Sequence, residues 1–274
     1  MPAHSGISSR TFKVNMQRVF ITGASSGLGA ALAQRYAGQG AALGLVARTS
    51  SALQALVAGL PDPERHRIYP LDVNDHAALQ AAAGDFIAAH GGADIVIANA
   101  GISQGTLTEY AEDLAVFTKI FSTNVMATVA TFAPFIASMK RQAAAGSRDC
   151  RLVGIASVSG IRGLPGAGAY SASKCAVISY CESLRVELRS SGIRVVTIAP
   201  GYVDTPMTQV NRYPMPFLMQ APRFAEKAAR TIEAGVSYRV IPWQMGIIAK
   251  LLRMLPNWLY DAVFARAPHK ARKS

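Results

Sequence analysis

The chain is poor in acid, in cysteine and in histidine, and each shortage removes a class of protein. Asp and Glu number 16 against 28 Lys and Arg, leaving a formal net charge of +12. Such a balance suits nucleic acid, but the basic residues are scattered through helix-period segments and form no aromatic-interleaved stripe, which argues against that partner. Cysteine is limited to Cys150, Cys175 and Cys181. This odd set has neither zinc-site spacing nor the pattern of a small secreted disulfide framework, so reduced thiols in a cytoplasm are expected. His4, His66, His76, His90 and His269 stand apart from one another, and no metal site is expected from them. Residues 1–15 are polar and lack the apolar stretch of a secretory signal. They are expected to be a poorly ordered extension.

What is present is an even distribution of apolar residues, half of the chain, with no internal repeat and no linker-like stretch. One large α/β domain is the economical reading. Short apolar runs at 19–22, 42–47, 67–69, 95–98, 152–156, 195–198 and 238–241 alternate with longer segments of helical period. Seven such runs imply a doubly wound parallel sheet over residues 16–242, its strands continuously apolar because helices cover both faces. Right-handed crossovers then gather the functional loops at the carboxyl ends of the strands.

The first run leads into Gly23, Ala24, Ser25, Ser26, Gly27, Leu28 and Gly29, followed by a good helix. Glycines let the backbone approach a pyrophosphate without Cβ clashes, and the helix start offers unpaired N–H groups to the anion. An ordinary βα loop can carry such glycines too. Further on, Tyr170 and Lys174 are spaced i, i+4 at the start of a predicted helix and so share a face. A neighbouring ammonium favours the phenolate and is expected to lower the tyrosine's pKa, which serves proton transfer. A solvated helix face could show the same pair.

Taken in order, these motifs resemble the classical short-chain dehydrogenases/reductases, from Arg18 to Met207. The glycine turn has the family's spacing, Thr22-Gly23-x-x-x-Gly27-x-Gly29. Ser157 lies thirteen positions before Tyr170, the family's separation, with Ser159 as a nearby competitor. Asn124, in Ser122-Thr123-Asn124-Val125, matches a fourth catalytic member. The resemblance implies a Rossmann-type fold and hydride transfer between a nicotinamide cofactor and a carbonyl or alcohol carbon. It gives Tyr170 the proton, Ser157 the substrate oxygen, Lys174 the nicotinamide ribose, and Asn124 a water that connects Lys174 to solvent. Asp72 and Val73 would meet the adenine, although Asp72 could instead cap the next helix. Asn99, Ala100 and Gly101 form a turn packed on the cofactor, while Pro200, Gly201, Val203 and Thr205 face the nicotinamide carboxamide. NAD-specific members usually carry an acid at the end of the second strand. Here Ala47 and Arg48 stand there, a guanidinium suited to a 2′-phosphate, so NADP(H) is favoured over NAD(H), although a solvated surface Arg could end the strand in the same way. A homodimer or homotetramer is expected.

Substrate choice is expected to lie after Thr205, where Met207, Val210, Tyr213, Met215, Phe217, Leu218 and Met219 make an apolar loop that suits either a lid over a lipophilic small molecule or packing against another subunit. Gly163, Leu164 and Pro165 are expected on the opposite wall. Residues 243–274 are expected to add an amphipathic helical extension, with Met245, Ile248, Leu252 and Leu255 on one face, and a basic tail containing Arg266, Lys270, Arg272 and Lys273. That extension could serve as core, as subunit interface or as a peripheral membrane contact, but Pro256 and its charges prevent it from spanning a bilayer. A cofactor-sensing protein without turnover is the rival from another class; the complete Ser157, Tyr170, Lys174 and Asn124 set argues against it.

Overall fold

The structure is a computed structural model that describes residues 16–147, 149–211, 213–265, 270 and 272. The expected extension at 1–15, together with His4, Arg266, His269 and Lys273, lies outside the described residues. Seven strands form one parallel sheet: β1 (Arg18–Thr22), β2 (Ala42–Ala47), β3 (Arg67–Pro70), β4 (Ile95–Ala98), β5 (Arg151–Ile155), β6 (Arg194–Pro200) and, last in the chain, β9 (Tyr238–Ile241). Their spatial order is β3-β2-β1-β4-β5-β6-β9. The order reverses between β1 and β4, so the loops leaving those two strands diverge and open a crevice at the carboxyl edge.

Burial explains why the strands read as apolar runs. Helices α1 (Gly27–Ala37) and α8 (Ala221–Glu233) cover one face, where Leu32 and Tyr36 meet Phe224 and Ala228. Helices α3 (His76–His90), α5 (Ala127–Ala144) and α6 (Gly168–Glu187) cover the other. At the centre of that second layer the Phe20 ring lies 4.9 Å from Phe135, 5.5 Å from Phe86 and 5.8 Å from Tyr69. Each fully buried aromatic of this kind contributes about 1.5–3 kcal/mol through the water it sheds. Helix α2 (Ser50–Ala58) lies along β2 and β3.

The helix before β5 is broken rather than regular. It runs as α4 (Asp113–Phe121), then one wide π turn (Ser122–Met126), then α5. Single π turns inside α-helices disturb the hydrogen-bond ladder locally and often mark functional positions. This whole stretch is apolar and long enough to cross a membrane by composition alone. Phe132, Phe135 and Met139 are nevertheless fully buried in the core, which accounts for its apolar character.

Two elements depart from expectation. β6 continues two residues past 198 because its pairing with β9 extends to Pro200 opposite Ile241. The apolar lid segment is partly ordered by a small parallel pair, β7 (Val203–Asp204) with β8 (Met219–Gln220), which brackets α7 (Pro206–Gln209). Met219 is therefore buried under the lid, while Met207, Val210, Phe217 and Leu218 remain exposed. Beyond β9 the expected extension forms α9 (Trp243–Met254) and α10 (Asn257–Phe264).

Candidate active site

The crevice at the sheet's switch point is a cleft of about 280 Å³. Its wall brings together Gly23, Ser25, Ser26, Gly27, Leu28, Arg48, Asp72, Val73, Asn99, Ala100, Gly101, Ser157, Tyr170, Lys174, Pro200, Gly201, Val203 and Thr205, so eighteen of the twenty residues singled out in the sequence share one surface. Gly29 and Asn124 are the exceptions, and each sits just behind the wall. A Cβ on Gly29 would stand 2.1 Å from the Gly23 carbonyl oxygen, so glycine is what lets α1 start against the turn. Asn124 is buried in the π turn, where its Oδ1 accepts from the Ile102 N–H at 2.8 Å and its Nδ2 donates to Ile102 O and Ser173 Oγ at 3.0 and 2.9 Å. It ties the loop after β4 to helix α6.

The cleft fits a dinucleotide on its own geometry. Gly23 adopts φ +67°, and Ser26, the residue before α1, makes no side-chain cap bond, so the first-turn N–H groups of that helix carry no protein cap. Asn99 holds the turn opposite: its Nδ2 donates to Thr22 O and Gly23 O at 2.9 and 3.1 Å. Asp72 does not cap α3. Asp75 does so, accepting from the Ala78 N–H at 3.0 Å, while Asp72 accepts from the Asn74 N–H and Nδ2 at 2.9 and 2.8 Å. Arg48 is exposed at the rim and forms no ion pair with a described residue.

At the other end of the cleft, Tyr170 and Lys174 lie one turn apart on α6, with Lys174 Nζ 5.9 Å from the centre of the Tyr170 ring. Lys174 is buried and donates to Ile155 O at 2.8 Å. Burial pushes its ammonium down to about 8. Burial also holds the Tyr170 phenol above its ordinary value, opposite to the expected lowering, although a hydrogen bond to Ser157 pulls it the other way. The reason is placement: the ammonium lies under the ring and spends a hydrogen bond on the main chain, so desolvation of the phenolate outweighs its attraction. Between the two serines the geometry selects Ser157, whose Oγ accepts from the Ser159 N–H at 3.1 Å; Ser159 is absent from the cleft wall.

Several residues that shape this end escaped the sequence reading. Gly160 lets the turn after β5 lie directly on α6: a Cβ there would be 2.7 Å from the Lys174 carbonyl carbon and 2.8 Å from the Cys175 nitrogen. Tyr213, already expected in the lid, is pushed up to about 12 by burial and then by its neighbours Tyr202 and Tyr170. Gly163, Leu164 and Pro165, expected on the opposite wall, are absent from the cleft lining, and their segment is braced from the C-terminus. Arg162 donates to Arg253 O and Leu255 O at 3.1 Å each and stacks on the Tyr260 ring at 4.1 Å, while the Tyr260 hydroxyl donates to Gly163 O. No local pattern announces such ties; only the fold brings positions roughly ninety residues apart together, a separation of 91 to 97 in these bonds.

With this geometry in place, the chain matches the family model of short chain dehydrogenases over residues 17–215. The chain belongs to that family, and it is an oxidoreductase acting on CH–OH or C=O groups, with a fold that binds a nicotinamide cofactor. It is 35% identical to an uncharacterized oxidoreductase of Myxococcus xanthus, covering 93% of this chain and 98% of that one. It is 34% identical to a 2-dehydro-3-deoxy-L-rhamnonate dehydrogenase (NAD(+)) of Sphingomonas, covering 68% of this chain and 72% of that protein. Among solved structures it resembles the 3-ketoacyl-(acyl-carrier-protein) reductase of Brucella melitensis complexed with NADH, with a TM-score of 0.74, 27% identity and coverage of 82% and 96%.

Proposed function

We propose that the chain is an NADP(H)-dependent carbonyl reductase or alcohol dehydrogenase of a lipophilic small molecule, with Tyr170 as its general acid and base. The observation that carries this reading is the placement of Tyr170, Ser157 and a buried Lys174 on one cleft wall, with Lys174 Nζ 5.9 Å from the centre of the Tyr170 ring and in no ion pair with a described residue. When bound, the nicotinamide supplies or accepts a hydride at its C4. In the reductive direction Tyr170 donates its proton to the substrate oxygen while Ser157 holds that oxygen in place; in the oxidative direction Tyr170 takes the proton back. Lys174 stabilises the phenolate left behind and reaches the ribose. Asn124 fixes the spacing between α6 and the loop after β4, and holds the water through which the proton is replenished. Arg48 receives the 2′-phosphate, and the exposed Met207, Phe217 and Leu218 offer an apolar lid to the substrate.

The test follows NADPH absorbance with a panel of carbonyls from small aldehydes to long-chain and polycyclic ketones. Tyr170→Phe is expected to lower kcat by about 10²–10⁴, the usual worth of a positioned proton donor. NADPH binding with no Tyr170-dependent turnover across the panel would favour the sensing rival. The pH profile adds a sign. Lys174 is charged below about 8 and neutral above it, so reduction is expected to weaken as pH rises through that value. Lys174→Arg, which keeps its charge, is expected to remove that fall.

A second reading has its own observation. Trp243, Ile247, Leu251, Met254 and Trp258 form an outward apolar stripe along α9 and α10, each at least half exposed, with Lys250 and Arg253 beside it. The stripe supports contact with an anionic bilayer, a peripheral membrane enzyme taking its substrate from lipid. Cosedimentation with anionic liposomes, lost in a Trp243→Ser, Trp258→Ser variant, tests it; equal pelleting of both proteins rules it out.

A further inference from the structure

The basic C-terminal tail contributes two described residues, and neither lies free in solvent. Arg272 is held in an acidic notch at the start of α4. Its Nε donates to Asp113 Oδ2 at 2.9 Å and its Nη2 to Asp113 Oδ1 and Glu112 Oε1 at 3.1 and 3.0 Å, while the guanidinium stacks 3.5 Å over the Tyr110 ring. Asp113 is a buried carboxylate, only 6% exposed, and the guanidinium together with the Leu107 N–H holds it below the usual carboxylate range. A buried charge of this kind needs its partner, so Arg272 anchors the tail.

Two positions earlier, Lys270 lies against the Tyr170 ring. Its Nζ is 2.6 Å from Ser103 Oγ, in the loop after β4, and 5.7 Å from the centre of the Tyr170 ring. No described acidic side chain pairs with it, although every described carboxylate of the neighbouring notch is engaged by Arg272. A half-buried ammonium facing the Tyr170 ring, with a serine hydroxyl for company and no described counterion, is an unfinished ion pair.

We propose that Lys270 selects the substrate, holding a carboxylate of the same molecule whose carbonyl meets Tyr170. The substrate class is then an oxo acid, or the corresponding hydroxy acid, with an apolar chain under the lid. The inference rests on the reductase reading above and narrows it. One ammonium and one hydroxyl match a singly charged, two-oxygen group; Arg272, whose fork would suit a phosphate, is already occupied. Partial desolvation depresses the Lys270 ammonium, and an incoming carboxylate would reverse that loss.

The experiment compares oxo acids of increasing chain length with their methyl esters, on the full-length protein with NADPH. It reads the acid-to-ester ratio both as kcat/KM and as dissociation constants from fluorescence titration. The wild type is expected to prefer the acid, and Lys270→Gln to lower the ratio about ten- to a hundredfold, the range for a hydrogen bond to a charged group. Lys270→Glu is expected to favour the ester. Arg272→Ala, which frees the anchor, is expected to shift the ratio the same way by a smaller factor. A ratio unchanged by Lys270→Gln, or a wild type that prefers the ester, overturns the proposal. Failure of the reductase reading looks different: without turnover, the acid-to-ester dissociation constants still read Lys270.

Discussion

The cofactor end and the substrate end of the cleft are built by different means. At the proposed cofactor end, the lining comes from short stretches at the strands' carboxyl edges: Gly23 to Leu28 after β1, Arg48 after β2, Asp72 and Val73 after β3, and Asn99 to Gly101 after β4. Strand register fixes these stretches, since Thr22 pairs with Val46 and β1 pairs β4 through Ile97. Around Tyr170 the chain is fastened by side chains from its distant parts: Arg162 and Tyr260 tie the segment before α6 to the C-terminal helices, and Lys270 and Arg272 tie the tail to Ser103 and Asp113. One end is a backbone device that the sheet imposes. The other is a set of clasps, each removable by a single substitution.

Gly160 joins the two ends, so its substitution is expected to have the largest effect. Gly160→Ala puts a methyl group 2.7 Å from the main chain at Lys174, and neither backbone can yield without moving Ser157 away from Tyr170. A misplacement of about 1 Å costs around a hundredfold in rate, so kcat/KM is expected to fall by about that factor while NADPH affinity holds. If NADPH affinity falls as far as kcat/KM, the two ends are mechanically one and the comparison fails.

Arg48 probes the cofactor end alone. It is exposed and unpaired among the described residues, so Arg48→Ser should leave the melting temperature unchanged. Loss of a charge-assisted bond to the 2′-phosphate is expected to weaken NADPH about ten- to a hundredfold and to leave NADH as it was. Equal weakening of both, or of neither, removes the basis for preferring NADP(H).

The same division explains what could be read from sequence. The sheet, the glycine turn and the Tyr170, Lys174 spacing were legible because continuous apolar runs, a helix start and an i, i+4 pair are local patterns that burial and register preserve, while Ser157 was reached through the family resemblance. The direction of the Tyr170 shift was misjudged because spacing gives a neighbour's presence, while its angle and the surrounding burial come only with the fold. The C-terminal helices were legible as apolar, and their inward face, Met245 with Ile248 and Leu252, matches expectation. The second, outward stripe was not, because Trp243, Ile247 and Leu251 belong to the same helical period and only packing separates the two faces. The clasps carry no local signature at all: an Arg and a Tyr almost a hundred positions apart look like ordinary surface residues.

The clasp at Tyr260 gives the smallest and most selective prediction. Tyr260→Phe deletes the hydrogen bond to Gly163 O but keeps the ring under Arg162 at 4.1 Å and stacked on Phe264 at 4.4 Å. One half-exposed hydrogen bond is worth about 1 kcal/mol, which in a chain of this size lowers the melting temperature by about 2–4 °C. Because Gly163 lies in the segment that leads from the turn after β5 to α6, KM for the carbonyl substrate is expected to rise a few-fold, while kcat and NADPH affinity stay at wild-type values. A fall in kcat instead would mean that this segment positions Tyr170 as well as the substrate, so that the C-terminal helices support the chemistry and not only its selectivity.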